Sequence, residues 1–228
     1  MNRVIERYLT SPALSAPNAR IAKEFWSNRE VGQIPYLRGE VVALRWDAAL
    51  RRDGATMDAV LKSLTQPRGK WPGGQSNEPQ QLAVTRLQAA LAPRMGSELA
   101  SDMADYVERG ERLPIGADFL GPCFTRTVES KVRFELGFEA AGIANRRVLG
   151  VVPGTAAERA GLRNGMELVS WSIYFGDTSQ DVTMRVLYTD GVRDIRYRPV
   201  TDRAIDVPVF RARPEARVEA NCKAWLAG

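Results

Sequence analysis

Residues 148–171 read VLGVVPGTAAERAGLRNGMELVSW, and this segment carries the clearest pattern of secondary structure in the chain. Its apolar start predicts a β-strand over residues 147–152, which a Pro-Gly pair ends in a turn. The alanine-rich run that follows predicts a helix of one or two turns, closed by a glycine. An Asn-Gly turn then leads into a second strand over residues 166–171. The order strand, turn, short helix, strand indicates a small β-domain.

The segments on either side of this stretch also carry the two-residue period of strands. Residues 182–188 and 192–197 flank an Asp-Gly pair, which predicts a two-stranded hairpin. Upstream, residues 131–139 alternate polar and apolar side chains, which is typical of a half-buried strand. Near the C-terminus, residues 205–210 predict an edge strand and residues 222–226 a short terminal helix.

The first half of the chain has helical periodicity instead. Its clearest helix is predicted to start near Pro35, because proline suits a first helical turn, and to stop at Gly54. Apolar residues recur along one face of this helix: Leu37, Val41, Leu44 and Ala48. Residues 69–74 are glycine-rich but lack the Gly-Lys-Ser/Thr ending of a phosphate-binding loop, so they predict an insertion loop.

The periodicity changes from that of helices in the first half of the chain to that of strands in the second half, and this change indicates the domains and the fold class. We predict an α+β protein with an all-helical N-terminal domain over residues 1–112 and a small β-domain over residues 128–200. Residues 113–127 form the predicted linker. Residues 201–228 form a C-terminal tail that packs on the core.

Composition excludes several kinds of chemistry. The 228 residues contain no histidine, so a histidine-ligated zinc ion, a Ser-His-Asp triad and a Cys-His pair are impossible within this chain. Lys and Arg number 32 against 27 Asp and Glu, a net charge of +5. The bases are interleaved with acids, and the longest basic runs are pairs, so no nucleic-acid partner is predicted.

No stretch predicts a membrane span or a secretory signal. The apolar runs fall short of the roughly 20 residues that cross a bilayer, so no membrane partner is expected. The first residues, MNRVIER, contain no apolar core of a signal peptide. The sequence as written therefore predicts a cytoplasmic location, or a periplasmic or secreted one if it is part of a longer protein.

The two cysteines leave two alternatives open. A disulfide between Cys123 and Cys222 would tie the tail to the predicted linker and would imply an oxidising compartment. Two buried, unpaired thiols are the other alternative.

Residues 148–171 resemble the middle of a bacterial PDZ domain, since residues 160–162 read Ala-Gly-Leu and a glycine follows at position 165. PDZ domains bind the C-terminal carboxylate of a peptide with the backbone N–H groups of a Gly-Leu-Gly-Phe-type loop. Leu136, Gly137 and Phe138 resemble this loop, so the resemblance implies that they bind peptide C-termini.

Two features of the sequence depart from a working PDZ groove. Glu135 replaces the first glycine of the loop, and residues 172–181 lack the amphipathic pattern of the second groove helix. These two departures favour a structural PDZ-like domain. A working peptide receptor is the alternative.

The helical half resembles the glycyl aminopeptidase family, whose members are gluzincin-type zinc metallopeptidases with a C-terminal PDZ domain. The matching segments occur in the family's order at residues 34–40, 43–51, 56–61 and 105–114, and the resemblance covers residues 8–200. It implies an all-helical region followed by a PDZ-like domain. The parent family holds zinc through His-Glu-x-x-His and a downstream Glu, and this chain has neither histidine.

The same resemblance implies a role for Tyr36. The family's tyrosine at this place donates a hydrogen bond to the oxyanion formed at a zinc-bound carbonyl, so Tyr36 would be catalytic only within a complete parent enzyme. The alternative is that Tyr36 packs on Phe25 or Trp26. Glu24, Glu30 and Glu40 lie near it in the sequence. We interpret all three as exposed helix-face charges, and we predict no metal site or cofactor in this chain.

The resulting prediction is the non-catalytic C-terminal portion of a glycyl-aminopeptidase-like metallopeptidase. This portion would supply one wall of an active-site cleft and a PDZ-like module that positions the substrate or other domains. Its implied partners are the parent's catalytic domain and peptide C-termini, and the chain alone is predicted to be inactive. The alternative is a stand-alone PDZ-like module that binds peptides or proteins.

Overall fold

The computed structural model describes residues 1–65, 80–214 and 219–227. Helices and antiparallel sheets both occur in these ranges, so the predicted mixed α+β class is confirmed. The glycine-rich segment 69–74 lies outside the described residues. In the described part of the chain, no helix combines the length and apolar character needed to cross a bilayer.

The helices are concentrated in the first half of the chain. They are α1 (Asn2–Thr10), α2 (Asn18–Glu24), α3 (Arg29–Arg52), α4 (Met57–Thr65), α5 (Gln80–Met95), α6 (Ser97–Asp102), α7 (Ala156–Arg159) and α8 (Ala220–Ala227). A π-helical turn, Met103–Glu108, continues α6, and a 3₁₀ segment spans Ala140–Asn145.

Helix α3 starts earlier than the sequence predicted. It begins at Arg29, and Pro35 lies inside it, so the predicted start at Pro35 is wrong. The reason is an upstream cap: Asn28 Oδ1 accepts hydrogen bonds from the backbone N–H groups of Glu30 at 3.2 Å and Val31 at 3.3 Å. A side-chain oxygen at this position satisfies amides that have no partner within the helix. Proline's preference for a first turn does not prevent it from lying further along a capped helix.

The strands form two sheets. They are β1 (Phe124–Phe134), β2 (Glu167–Ser172), β3 (Val182–Tyr188), β4 (Gly191–Tyr197) and β5 (Val200–Ala212). Strands β2, β3 and β4 pair in that order, and β1 pairs with β5. The β3–β4 pairing runs from Val182 opposite Tyr197 to Tyr188 opposite Gly191, which confirms the predicted hairpin.

Two predicted strands need correction. Residues 147–152 do not form a regular strand, although Arg147 makes an isolated bridge with Glu167. Gly150 has a φ of +60°, and this left-handed residue interrupts the extended backbone. The strand predicted over 131–139 is instead β1, which ends at Phe134. It ends there because Gly137 also has a positive φ, of +79°.

Spatial contacts divide the chain into two compact units. Unit 1 comprises Met1–Leu37 and Val128–Val209, and unit 2 comprises Arg38–Thr127 and Phe210–Gly228. Each unit is therefore built from two separate stretches of chain. This division follows contacts, whereas the boundaries predicted at residues 112, 127 and 200 follow the change from helix to strand. Strand β1 begins at Phe124, inside the segment predicted as a linker.

One core cluster of unit 1 is apolar and comes mainly from the β2–β3–β4 sheet and the loops around α7. Its buried members are Phe138, Val148, Ala157, Leu162, Leu168, Val182, Met184, Val186, Ile195 and Tyr197. Phe138 belongs to the loop that resembles a PDZ carboxylate-binding loop. This core therefore holds one end of that loop in place.

Unit 2 buries a charged side chain among its helices. Asp102, at the end of α6, is 3% exposed and accepts hydrogen bonds from Arg45 Nε at 2.7 Å and Trp46 Nε1 at 3.1 Å. Arg45 also donates to Glu98 Oε1 at 2.9 Å. The hydrogen bond from Asp102 is the main reason that the pKa of Arg45 is raised. This network joins α3 to α6.

Candidate functional site

The segment 135–138 is a tight loop that only glycine can complete at position 137. Gly137 has a φ of +79°, a region that favours glycine. A Cβ atom there would lie 2.7 Å from Ala157 Cβ and 2.8 Å from Thr155 Oγ1. The loop therefore lies against α7 and its N-terminal cap.

Hydrogen bonds hold the carbonyl groups of Leu136 and Gly137 and the backbone N–H of Glu135. Tyr197 donates its hydroxyl to the carbonyl of Leu136 at 2.6 Å, and Val152 N–H donates to the carbonyl of Gly137 at 2.9 Å. Glu135 N–H donates to Pro199 at 2.9 Å. Burial raises the pKa of the Tyr197 phenol, so this group remains a donor at neutral pH. These bonds fix the loop backbone.

The amides between these anchors have no such partner. The N–H groups of Leu136, Gly137 and Phe138 donate to no other residue that the structure describes. Successive backbone N–H groups around a left-handed residue form a concavity that binds anions. The loop can therefore offer three neighbouring donors to a carboxylate.

The same loop lines a pocket of about 720 Å³ in unit 1. This volume is within the range of pockets that enclose small ligands. Other parts of the lining come from α2, the start of α3, the end of β1, Phe175 and Thr201. Residues 173–181 contain no helix, in agreement with the sequence, and Phe175 from this segment forms part of the pocket wall.

The pocket lining carries both signs of charge. Its ionisable residues are Arg20, Glu24, Arg29, Glu30, Arg133, Glu135 and Glu139. Arg20 pairs with Glu24 at 3.0 Å, and the guanidinium of Arg29 lies 4.8 Å from the centre of the Phe175 ring. Burial raises the pKa of Glu30.

Two of the three carboxylates singled out in the sequence differ from the expected exposed charges. Glu40 is exposed, whereas Glu24 and Glu30 are half-buried and line the pocket. Glu30 differs most, since its Oε1 atom is fully buried. The Asn28 cap explains this position, because it places Glu30 in the first turn of α3 and not in a preceding loop. The cap could have placed Glu30 in the first turn of α3 from the sequence, but not its burial.

Tyr36 does not line this pocket, within the part of the chain that the structure describes. Its side chain is 66% exposed, and its ring centre lies 6.4 Å from that of Phe25. Trp26 packs edge-on against Phe25 and is 94% exposed. The structure thus gives Tyr36 the predicted aromatic neighbour Phe25. The catalytic role that the resemblance implies for Tyr36 stays a prediction.

The zinc ion of the family that the sequence resembles does not fit the donors of this chain. The sequence offers no histidine, and within the described ranges no group of three or more Cys, Asp or Glu side chains could hold a metal ion.

The two cysteines lie together in unit 2 as buried thiols. Cys123 and Cys222 belong to one small core cluster with Phe124 and Trp225. Burial, and then the hydrogen bond with Cys222, raise the pKa of Cys123 to about 11. Arg213 and Glu219 form an ion pair beside them at 2.6 Å. The disulfide, which is the other alternative that the sequence leaves open, is not formed in this structure.

The chain is similar to a solved structure of distant sequence. No protein-family model matches the chain, and no curated protein does. The chain is similar to the crystal structure of the aminopeptidase N family protein from Idiomarina loihiensis, with 16% sequence identity and a TM-score of 0.43. The alignment covers 99% of this chain and 44% of that one, so the chain spans less than half of the neighbour's length.

Proposed function

We propose that the pocket of unit 1 binds the C-terminal carboxylate of a peptide. The observation that carries this proposal is the row of amides at Leu136, Gly137 and Phe138, three residues of the pocket lining whose N–H groups have no partner among the described residues. Backbone amides that lack a protein partner need another acceptor. A carboxylate suits three neighbouring donors, because its two oxygens together accept several hydrogen bonds.

The walls of the pocket support a working receptor over a purely structural domain. A PDZ-like groove needs a second wall beside the loop, and the sequence lacks the usual helix for it at residues 172–181. Helix α2, the start of α3 and Phe175 supply lining residues in its place. The bound peptide would then lie between the loop and these N-terminal helices.

We expect short peptides with a C-terminal carboxylate to bind at least about tenfold more tightly than the same peptides with a C-terminal amide. A hydrogen bond to a charged group contributes about 1.5–3 kcal/mol, and 1.4 kcal/mol corresponds to a tenfold change in affinity. Isothermal titration calorimetry of the purified chain measures both affinities. Equal affinities for the acid and the amide would contradict the proposal.

A variant of the loop tests the same proposal from the protein side. Gly137→Ala forces the loop away from Ala157 and Thr155 and should abolish binding. Gly54→Ala is the matched control, because Gly54 also has a positive φ, of +70°, nothing lies within 4 Å of its added Cβ, and Gly54 does not line the pocket. The control should retain binding. Its melting temperature shows how much stability is lost when alanine takes a left-handed backbone conformation without a clash.

A second proposed function places the chain in a larger peptidase. The exposure of Tyr36 and Trp26 supports it, because an aromatic surface of this kind suits a cleft wall that another domain completes. In this proposal the chain is the non-catalytic C-terminal portion of a glycyl-aminopeptidase-like metallopeptidase, and the pocket positions the substrate's C-terminus.

We expect the purified chain to show no aminopeptidase activity when Zn²⁺ is added, because it lacks the histidines that hold the ion. We also expect the gene to have an upstream, in-frame segment that encodes His-Glu-x-x-His. Robust zinc-dependent activity of the purified chain would contradict this second proposal, as would the absence of that segment from the surrounding coding sequence.

A further inference from the structure

Glu30 carries a carboxylate oxygen that the protein leaves without a hydrogen bond. Its Oε1 atom is buried and accepts from no residue that the structure describes, although Glu30 lines the pocket. A buried charged oxygen without a donor is unfavourable, and such atoms are rare in folded proteins. The ionised form of Glu30 therefore has no cationic partner among the described residues.

The nearby cations are engaged elsewhere. Arg29 and Arg7 are the groups whose charges favour the ionised form of Glu30. The guanidinium of Arg29 lies over the ring of Phe175, and Arg7 donates to Gln33 Oε1 at 3.3 Å. Neither donates to the buried oxygen of Glu30. The two arginines thus reduce the cost of the carboxylate without pairing with it.

We propose that the pocket recognises both charges of one ligand: the amides of residues 136–138 hold a C-terminal carboxylate, and Glu30 holds a cationic group of the same molecule. The ligand class is a short peptide that has an ammonium or guanidinium group near its C-terminal carboxylate. This inference rests on the proposed carboxylate site and adds the residue that selects the ligand. The two sources of the cation are a lysine or arginine side chain and the peptide's own N-terminus.

The charge of the pocket agrees with a ligand of this kind. With Arg20 and Glu24 paired, the remaining lining has two arginines, Arg29 and Arg133, against three carboxylates, Glu30, Glu135 and Glu139. A ligand that carried only a carboxylate would leave the charge of Glu30 uncompensated. A cationic group of the ligand beside the Glu30 carboxylate compensates this charge in a partly desolvated site, where charge-assisted hydrogen bonds are strong.

The test compares peptides that differ only in this cation. N-acetylated tetrapeptides that end in lysine, arginine or the neutral norleucine, all with a C-terminal carboxylate, are titrated calorimetrically into the full chain. The unacetylated norleucine peptide tests the N-terminal source of the cation. We expect at least one of the cationic peptides to bind about tenfold more tightly than the neutral reference, the N-acetylated peptide that ends in norleucine.

The variant Glu30→Gln should remove this preference. Glutamine has the same size and no charge, so we expect the cationic and neutral peptides to bind the variant within about twofold of each other, with the dependence on the C-terminal carboxylate retained. Glu167→Gln is the control, since Glu167 is an exposed carboxylate on β2 that does not line the pocket. It should keep the tenfold preference.

The possible results distinguish this inference from the proposed carboxylate site on which it rests. Carboxylate-dependent binding without a preference for cationic peptides in the wild-type chain would overturn the role of Glu30 and leave the carboxylate site intact. A preference that persists in Glu30→Gln would also overturn it. Binding of no peptide at all would reject both. The wild-type comparison needs no substitution, so it is decisive even if the variant folds poorly.

Discussion

Replacing Asp102 with alanine is expected to lower the free energy of unfolding by about 3 kcal/mol, the lower end of the cost of breaking a buried ion pair. The substitution removes the acceptor of both Arg45 Nε and Trp46 Nε1. Trp46 is buried, and the side chain of Arg45 is only 25% exposed, so water cannot fully replace the lost carboxylate. With an ordinary urea dependence, the unfolding midpoint should fall by about 1.5 M.

Glu98→Ala is the matched control for this prediction. Glu98 also pairs with Arg45, at 2.9 Å, but its side chain is 38% exposed. Ion pairs in contact with water contribute about 1 kcal/mol or less. Urea denaturation followed by circular dichroism should therefore rank Asp102→Ala well below Glu98→Ala in stability. Equal costs for the two variants would show that the burial of Asp102 is unimportant.

Replacing Gly121 with alanine is expected to cost about 3 kcal/mol and to displace α8. The added Cβ would overlap the indole ring of Trp225, and Gly121 has a φ of +82°, which is unfavourable for alanine. Overpacking contributes about 1–3 kcal/mol, and the left-handed backbone about 1–2 kcal/mol. Cys222 lies on the same helix and is fully buried, so its reaction with a thiol reagent should accelerate when α8 moves.

Two further variants separate the clash from the backbone effect. Gly54 has a φ of +70° and open space around its added Cβ, so Gly54→Ala should cost only about 1 kcal/mol and leave Cys222 unreactive. In a Trp225→Ala background the overlap disappears, and Gly121→Ala should then cost no more than Gly54→Ala. A Gly121→Ala cost that is unchanged in that background would contradict the packing of Trp225 on Gly121.

The parts of the fold that the sequence predicts are those that local chemistry determines. The β3–β4 hairpin is an example, since Asp190-Gly191 specifies the turn between two alternating segments. The predicted strand at 147–152 fails because its residues pair with separate segments: the N–H of Val148 donates to Met166, and that of Val152 to Gly137. The periodicity of a sequence cannot distinguish a β-strand, whose backbone pairs with one neighbouring strand, from an extended segment whose backbone hydrogen bonds go to separate parts of the chain.

The candidate site shows the same limit. Its glycine and flanking apolar residues identify the loop, but the lack of partners for its amides depends on anchors such as Tyr197, which is distant in sequence. The burial of Glu30 is likewise a tertiary property, because the pocket brings α3 together with the end of β1. Spacing along the chain carries no information about either contact.

The interleaving of the two compact units constrains how the protein is made. Met1–Leu37 leaves the ribosome well before Val128–Val209, which completes the same unit, and all of Arg38–Thr127 is translated in between. Domains that are contiguous in sequence can fold one after another during synthesis. Here unit 1 cannot close until Val128–Val209 has emerged, nor unit 2 until Phe210–Gly228 has, so the nascent N-terminal helices keep apolar surface available to chaperones.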